Sequence, residues 1–466
     1  MWIDAYPRIK LWKGAIHEVI IGTVLTNSHL ARAKVLAESI KKYNPDVKVI
    51  VSLVERHLNP EYSEFKHFDE VVLAKDTWQG NMDFDQILFK YDAWEACCFA
   101  KAALFDYIFT KYTQEDHVLF LDSDTEVFSP LDDLSKRFKR SSVLLTPQNI
   151  YKGNEYDNFK YGVYNAGMIG ATRTPDGLGF VKWWKKRLER HSYFAEYDTL
   201  FAEQKWLNLV PTLFDSVEVV KHPGYNIASW NFKERKVTRS DSGKYSVNGE
   251  PLYVFHFHAI KNLEKENDWS KEFPQIKSLA RKYAEKLDSM GRHSLEHIPW
   301  SYNFFTNGTP IDRDSRLVYR NNLLLEKKHP YPFFMKNEDF AWYKENPGSE
   351  SDPLPGSLPE SSPDSSFERR SPKRRTIRAR KRLRSRRLNK KLKPSLLSRK
   401  RRTPFQLVPL KRSVKTRIVK GRIPVFYLSR MSRTEKMHLA KLFVRFIDHH
   451  MTRFERRIQM SGGRDV

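Results

Sequence analysis

Two carboxylates, Asp122 and Asp124, stand one residue apart directly after an apolar run. The run, His117–Leu121, is short, branched or aromatic and bounded by a polar turn, which predicts a buried strand. Carboxylates at the carboxyl end of such a strand lie where open α/β sheets bind ligands. Two hard oxygen donors there suit Mg²⁺ or Mn²⁺, and an ion held in this way can bridge a diphosphate. A solvated turn after an ordinary strand is the alternative interpretation of the pair taken alone.

A second apolar run, Tyr161–Gly170, is interrupted by Asn165, Ala166 and Gly167. Small residues at this point would let a ligand approach the backbone closely, and the amide of Asn165 offers both a donor and an acceptor. We therefore expect this run to be a strand that contributes to the same site.

Two later segments carry further polar side chains. Glu203 and Gln204 begin the sequence E-Q-K-W-L-N, and the strand-like run Leu252–His258 carries His256 and His258. Alternation along a strand would place both histidines on one face, so the spacing alone does not choose between them as a third metal ligand.

The order of these motifs, D-x-D, N-A-G, E-Q-x-x-L-N and F-H-F, resembles that of the GT-A nucleotide-sugar glycosyltransferases. The resemblance is strongest to the glycogenin-like and bacterial lipopolysaccharide galactosyltransferase-like group, and it spans about residues 18–262. The run Val19–Leu25, followed by Asn27 and a helix, looks like the group's nucleotide-binding first strand and helix. The resemblance implies an α/β fold of the GT-A, Rossmann-like type, a nucleotide-diphospho-sugar transferase domain.

The resemblance also implies roles for individual residues. It implies that Asp122, Asp124 and His256 bind the metal, because the F-H-F register matches His256, with His258 as the alternative. The chain departs from the group in having Glu203 where Asp is usual, and in having Lys261 one position early. The implied donor-binding residues are Thr23, Val24, Asn27, Asp122, Ser123, Asp124, Ala166 and Gly167. The implied catalytic residues are Asn165, Glu203, Gln204 and Lys101.

The helix before the D-x-D strand carries Lys101 and, six residues earlier, Glu95. The resemblance places a basic residue of this helix near the donor sugar and its phosphates. A solvent-exposed helical lysine is the structural alternative. The adjacent Cys97 and Cys98 are the only cysteines, which excludes a disulfide framework.

These expectations together predict a metal-dependent glycosyltransferase of the hexosyltransferase type that uses Mn²⁺ or Mg²⁺. It would move a sugar, with retention of configuration, from a nucleotide-diphosphate sugar to a hydroxyl of a glycan, lipid-linked or protein acceptor. A nucleotidyltransferase acting on sugar phosphates is one alternative, but Thr23–Asn27 offers no Gly-rich basic loop after the first strand. A non-enzymatic nucleic-acid-binding protein is the other, and it would leave the motifs without a role.

Positive charge is concentrated in one part of the chain. The net charge is +26, and residues 369–422 contain 25 Lys and Arg and no Asp or Glu. Residues 423–466 carry a further +5, so residues 1–368 have a net charge of −4, which argues against nucleic acid as a partner for the main domain.

Alternating elements predict a mainly parallel sheet covered by helices. We expect strands at 18–25, 47–54, 117–121 and 125–128, helices at 29–43 and 91–111, and an amphipathic helix near Leu178–Arg190. The predicted domains are an N-terminal segment (1–17), the GT-A domain (18–262), its C-terminal extension (263–346), a disordered Pro/Ser-rich and then Lys/Arg-rich linker (347–422) and a basic amphipathic helical tail (423–466).

Apolar residues of the tail recur at helical spacing among basic ones, as in Phe443, Phe446 and Phe454. Such a helix can lie on an anionic membrane, or it can dock on the enzyme or another subunit. The basic tract itself could be a solvated tail, or it could bind an anionic membrane or nucleic acid. The sequence shows no signal peptide and no run of the ~20 apolar residues that span a bilayer. We therefore expect a cytoplasmic enzyme, peripheral at the inner membrane face if the tail binds lipid.

Overall fold

The computed structural model describes residues 19–345, except for 60, 61, 63, 152, 154, 196–198 and 259–271. The predicted N-terminal segment, linker and helical tail lie outside the described residues, as does Lys261. Those four expectations therefore stay predictions.

A seven-stranded sheet with the order β10-β6-β7-β4-β1-β2-β3 forms the centre of the fold. Its strands are β1 (Val19–Leu25), β2 (Lys48–Leu53), β3 (Glu70–Leu73), β4 (His117–Leu121), β6 (Val143–Pro147), β7 (Tyr164–Thr172) and β10 (Val217–Val219). Four neighbouring pairs are parallel, and β7 alone runs antiparallel to both of its neighbours. The predicted mixed α/β fold with a mostly parallel sheet is confirmed.

Shorter strands form three smaller sheets. They are β5 (Thr125–Val127), β8 (Phe194–Ala195), β9 (Leu200–Phe201), β11 (Val237–Arg239), β12 (Tyr245–Val247), β13 (Glu250–Pro251) and β14 (Val254–His256). The pairing of β14 with β5 places His256 opposite Thr125, one residue after Asp124. This pairing carries the histidine to the carboxylates.

Helices cover the sheet and continue beyond it. They are α1 (Leu30–Tyr43), α2 (Ala74–Thr77), α3 (Phe84–Phe89), α4 (Ala93–Lys111), α5 (Asp132–Phe138), α6 (Glu155–Tyr161), α7 (Pro175–His191), α8 (Val210–Leu213), α9 (Pro274–Ser289), α10 (Arg292–Leu295), α11 (Arg313–Arg320), α12 (Leu323–Lys328) and α13 (Ala341–Glu345). Short 3₁₀ turns occupy Asn27–His29, Lys205–Leu209, Phe232–Glu234, Ser301–Asn303, Pro332–Phe334 and Asn337–Phe340. Among the described residues, none of these helices is both long and apolar enough to cross a bilayer.

The central strand β1 shows why the fold has two layers. Its side chains alternate between the two faces of the sheet, so Val19 and Ile21 join one hydrophobic core while Ile20 and Val24 join the other. Between them, Gly22 lets α4 approach closely, because a Cβ there would come within 2.9 Å of a Leu104 methyl group. The close approach holds α4 against β1.

Helix α4 begins at a capping box. The Asp92 side chain accepts a hydrogen bond from the Glu95 backbone N–H, and the Glu95 carboxylate accepts one from the Asp92 N–H. The helix therefore starts at Ala93 rather than at the predicted residue 91.

The segment after residue 273 packs on both layers. Tyr283 of α9 stacks on Phe257 with ring centroids 3.8 Å apart. On the other side of the sheet, the Trp300 indole N–H donates to the Val54 carbonyl at 2.7 Å. These contacts fix the backbone that follows the histidine strand and the wall of the pocket at Trp300.

Other predicted elements also differ from the structure. Tyr161, expected at the start of a strand, is the last residue of α6, and Gly162 with φ +110° separates that helix from β7. The strand expected over Leu252–His258 is limited to β14. The predicted helix 29–43 starts at Leu30, after the 3₁₀ turn.

Candidate metal centre and its pocket

A pocket of about 980 Å³ opens at the carboxyl ends of β1 and β4. Because β7 is antiparallel, its first residues reach the same edge of the sheet. The pocket is lined by twelve of the residues singled out in the sequence: Val24, Lys101, Asp122, Ser123, Asp124, Asn165, Ala166, Gly167, Glu203, Gln204, His256 and His258. The motifs that were separate in the sequence thus lie together in one pocket.

Asp122, Asp124 and His256 form a cluster with the geometry of a metal site. Each offers one ligand atom, and these atoms lie within 4.8 Å of one another. The His256 Nε2 atom lies 3.0 Å from an Asp124 oxygen and 3.8 Å from an Asp122 oxygen. Two carboxylates and one imidazole suit Mn²⁺, because a site for Mg²⁺ is normally built from oxygen ligands alone.

The other ring nitrogen of His256 is held by Asn226, which the sequence analysis missed. The His256 Nδ1–H donates to Asn226 Oδ1 at 3.1 Å, which turns Nε2 toward the carboxylates. Metal-binding histidines are usually oriented by such a second hydrogen bond. The ring therefore fits a ligand role.

A backbone group ultimately fixes this orientation. The Gly167 N–H donates to the Asn165 side chain at 2.9 Å, so the accepting atom must be the oxygen, Oδ1. The same oxygen accepts a hydrogen bond from the Asn226 amide nitrogen at 2.8 Å. Asn226 is fully buried and has a left-handed φ of +52°. Since a backbone N–H can only donate, the direction of the whole chain of hydrogen bonds follows from it.

His258 is placed differently. It is exposed, it follows the end of β14, and its Nδ1 lies 3.3 Å from the Ser229 hydroxyl. The alternation expected along a longer strand does not continue past His256. The structure brings His256, and not His258, to the two carboxylates.

The two aspartates differ in their surroundings. One Asp122 oxygen lies 2.8 Å from the Lys101 ammonium, yet desolvation outweighs this attraction and raises the pKa of Asp122. Desolvation also acts on Asp124, but there the charges of His256 and of Arg32, 3.6 Å away, dominate and hold its pKa well below the usual range. Asp124 is therefore the more firmly ionised of the pair.

Lys101 is buried and paired with two carboxylates, so it is not an exposed helical lysine. Its ammonium lies 2.7 Å from Glu203 and 2.8 Å from Asp122, and it donates to the Ala166 carbonyl at 3.3 Å. Burial disfavours the ammonium, but Asp122 and then Glu203 outweigh it and raise the pKa of Lys101. Lys101 remains positively charged and fixes one oxygen of Asp122.

Gln204 holds the N-A-G segment. Its Oε1 accepts hydrogen bonds from the Asn165 amide at 2.9 Å and from the Ala166 N–H at 3.1 Å, while its Nε2 donates to the Tyr161 carbonyl. Two residues before Gln204, Ala202 has a left-handed φ of +42°. The strained backbone turns Glu203 and Gln204 into the pocket.

Gly167 is required for a reason that the sequence did not reveal. A Cβ at this position would come within 2.6 Å of the His256 ring. The glycine thus makes room for the imidazole itself, rather than only for a ligand.

Thr23 and Asn27, two of the predicted donor-binding residues, do not line the pocket. Thr23 is buried, and the Asn27 N–H donates to the Glu55 carboxylate at 3.0 Å. Glu95 belongs to the cap of α4 and lies 3.4 Å from Arg320. Residues that line the pocket but carried no sequence signal include His29, Arg32, Trp94, Trp230 and Trp300.

Comparisons with known proteins give distant similarities. No protein-family model matches the chain. It is 21% identical over 282 residues to the uncharacterized protein YfnF of Bacillus subtilis, covering 59% of this chain and 91% of YfnF. It is 27% identical over 167 residues to the uncharacterized protein YfnD of the same organism, covering 35% of this chain and 53% of YfnD.

Among solved structures, the chain is similar to the galactosyltransferase LgtC in complex with donor and acceptor sugar analogues. The TM-score is 0.38 and the identity 16%, covering 60% of this chain and 97% of LgtC. It is also similar to the glycosyltransferase GlyE of Streptococcus pneumoniae TIGR4, with a TM-score of 0.35 and 14% identity, covering 61% of this chain and 66% of GlyE. At these levels the similarity does not assign an activity, which must be argued from the pocket.

Proposed function

We propose that this protein is a metal-dependent glycosyltransferase, which transfers a sugar from a nucleotide-diphosphate sugar to a hydroxyl group. The observation that carries the proposal is that the candidate metal ligands and the N-A-G segment lie together in one pocket. The candidate metal ligands Asp122, Asp124 and His256 are linked through Asn226 to the amides of the N-A-G segment. The same pocket is lined by the end of β1, where a nucleotide can lie.

The charges in the pocket support metal dependence. Apart from its histidines, the charged residues that line it are the cations Arg32 and Lys101 and the carboxylates Asp122, Asp124, Asp157 and Glu203. With carboxylates in excess, a diphosphate alone would be repelled. A divalent ion would reverse this excess locally and supply positive charge for the departing nucleoside diphosphate.

Each residue then has a definite task. Asp122 and Asp124 hold the ion together with His256, and Lys101 keeps Asp122 oriented through its short ion pair. Asn165 and Gln204 present amide groups at the side of the pocket next to the ligand cluster, where they can orient the sugar. We propose retention of configuration, as the motif resemblance implies, and the anomeric form of the product would be read by NMR.

A donor screen tests the proposal. The full chain is incubated with Mn²⁺ and a panel of nucleotide sugars, and the released nucleoside diphosphate is measured with and without EDTA. We expect at least one donor to be turned over, and EDTA or Asp124→Asn to abolish that turnover. Asp241→Asn, at an exposed aspartate, is the matched control. Failure of every donor, or full activity of Asp124→Asn, would refute the proposed function.

A further inference from the structure

Four aromatic side chains form a cluster at the edge of the pocket, which we call the aromatic rim: Trp94, Tyr161, Phe194 and Phe201. Phe201 is at its centre, with ring centroids 5.5 Å from Trp94, 5.1 Å from Tyr161 and 5.6 Å from Phe194. Trp94, Tyr161 and Phe201 also line the pocket. The rim is thus a continuous apolar surface next to the candidate metal centre.

Folding does not account for the exposure of this surface. Trp94 is 47% exposed and Phe194 is 42% exposed. The start of α4 is already stabilised by the Asp92–Glu95 capping box, which does not involve the indole. Exposed apolar clusters bordered by polar residues commonly mark binding sites.

The position of the rim relative to the ion cluster leaves space for substrate. Trp94 and Lys101 are seven residues apart on α4, so they lie on one face about two turns, or ~10 Å, apart. Both line the pocket, and Lys101 contacts Asp122. A ligand bound at the rim would therefore lie about two helical turns from the candidate metal ligands. This distance leaves space between them for the sugar of the donor.

An unsatisfied polar atom lies beside the rim. Asn158, three residues before Tyr161 on α6, lines the pocket, and its Oδ1 is buried without a hydrogen-bond partner among the described residues. A buried acceptor of this kind normally has a partner. A ligand hydroxyl could donate the missing hydrogen bond.

The charges indicate a neutral ligand. Among the described residues that line the pocket, Lys101 is paired with Asp122 and Glu203, Arg32 lies 3.6 Å from Asp124, and His256 lies 3.0 Å from Asp124. Burial lowers the pKa of His258. Burial lowers the pKa of His29 to about 4, so this residue is uncharged at neutral pH. No unpaired cation among these residues remains to recognise a phosphate or carboxylate on the acceptor.

We propose that the aromatic rim binds a neutral sugar ring of a glycan acceptor, with Trp94 stacking on its C–H face and Asn158 accepting a hydrogen bond from a hydroxyl group. Aromatic faces carry negative charge density and attract weakly positive C–H groups. Apolar faces combined with a few convergent polar atoms are typical of specific small-molecule sites. This inference rests on the proposed glycosyltransferase function and specifies its acceptor.

Binding of neutral disaccharides to the full chain tests the inference. Maltose, cellobiose and lactose are the probes, and saturation-transfer NMR measures their binding in the presence of Mn²⁺ and a nucleoside diphosphate. We expect at least one disaccharide to bind. Trp94→Ala should weaken its affinity about tenfold, as expected for the loss of ~1.4 kcal/mol of stacking. Trp94→Phe should restore most of it, and Asn158→Ala should weaken it by a smaller factor.

The matched control is Trp342→Ala, because Trp342 of α13 is 52% exposed and does not line the pocket. It should leave disaccharide affinity unchanged. The Mn²⁺ affinity of Trp94→Ala, measured by calorimetry, should stay within twofold of the original chain and so report an intact site.

Three outcomes would overturn the inference. They are the absence of disaccharide binding to a chain that turns over a donor, equal losses in Trp94→Ala and Trp342→Ala, and binding of the rim to vesicles of phosphatidylcholine and phosphatidylglycerol instead of sugars. The first outcome leaves the proposed function standing. Failure of the donor screen would remove the proposed function itself, so the two failures are distinguishable.

Discussion

The inner end of the pocket, which contains the candidate metal ligands and the side chains bonded to them, differs from the aromatic rim in how its groups are satisfied. At the inner end, charged and amide groups satisfy one another: Lys101 is shared by Asp122 and Glu203, and Asn226 joins His256 to Asn165. At the rim, large apolar faces remain open to solvent. The first arrangement fixes atoms in place, whereas the second offers a surface to a partner.

Most residues of the two regions come from different elements. The two carboxylates, Asn165 and His256 of the inner end lie where β4, β7 and β14 meet, so sheet register positions them, whereas Lys101 comes from α4. The rim comes from the first turn of α4, the end of α6 and the two-residue strands β8 and β9. We infer that changes at the inner end act on chemistry, while changes at the rim act on the choice of acceptor.

The largest effect is expected at the carboxylates. Asp122→Asn or Asp124→Asn removes a charged metal ligand, and the loss of roughly 4 kcal/mol of charge stabilisation corresponds to about a 10³-fold fall in donor turnover. Nucleoside diphosphate release measures it, and circular dichroism checks that the fold is retained. Comparable turnover in either variant would show that the inner end does not hold the ion.

The two histidines provide the next comparison. His256→Ala should lower Mn²⁺ affinity and donor turnover far more than His258→Ala, because the His256 Nε2 is 3.0 Å from Asp124 whereas His258 contacts Ser229. Calorimetric titration with Mn²⁺ measures the affinity of each variant. A greater loss in His258→Ala would reverse the assignment of the third ligand.

Asn226 tests whether the hydrogen-bond chain matters beyond the ligands themselves. Asn226→Ala should reduce Mn²⁺ affinity by about 10–100-fold, as loss of an orienting partner commonly does. Asn248→Ala is the matched control, since Asn248 also has a left-handed φ, of +53°, but is exposed on a hairpin. Both changes strain the backbone, so equal metal affinity in the two variants would leave Asn226 with a structural role only.

The smallest effect on turnover is expected from the C-terminal tail, whose residues lie outside those described. We propose that residues 369–466 bind an anionic membrane. Their deletion should leave donor turnover nearly unchanged, because every residue that lines the pocket precedes residue 301. It should abolish sedimentation with phosphatidylglycerol vesicles, which for the full chain should weaken as salt rises.

A second variant separates charge from the amphipathic helix. Replacing Phe443, Phe446 and Phe454 with Ser removes apolar area while keeping the basic residues. Vesicle binding that survives this change would assign the helix to a protein contact. Preferential binding of the tail to RNA or DNA would contradict the membrane proposal.

Elements with strong local signals could be predicted from the sequence. The strand His117–Leu121 has the predicted bounds, because an apolar run that ends in two carboxylates leaves little freedom in placing it. Strands β3, β6 and β10 were missed, and they are short segments of the same sheet. The bounds of α4 depended on which residue capped it, which the hydrophobic pattern does not specify.

The site was predictable as a set of motifs, but its internal links were not. Asn226 precedes β14 without a recognisable pattern, and its role depends on a left-handed backbone and a tertiary contact. The need for Gly167 also arises only when His256 is brought across from a distant strand. The aromatic rim was missed because Trp94 and Phe201 become neighbours only through folding.

The central claim is that Asp122, Asp124 and His256 together hold the divalent ion that binds the donor diphosphate. The most direct measurement is a crystal structure of the full chain grown with Mn²⁺ and a nucleoside diphosphate, with data collected at the manganese absorption edge. The account predicts one anomalous peak ~2.0–2.3 Å from all three side chains and in contact with the diphosphate. A diphosphate bound in the pocket without an anomalous peak at these residues, or a peak coordinated by other residues, would contradict it.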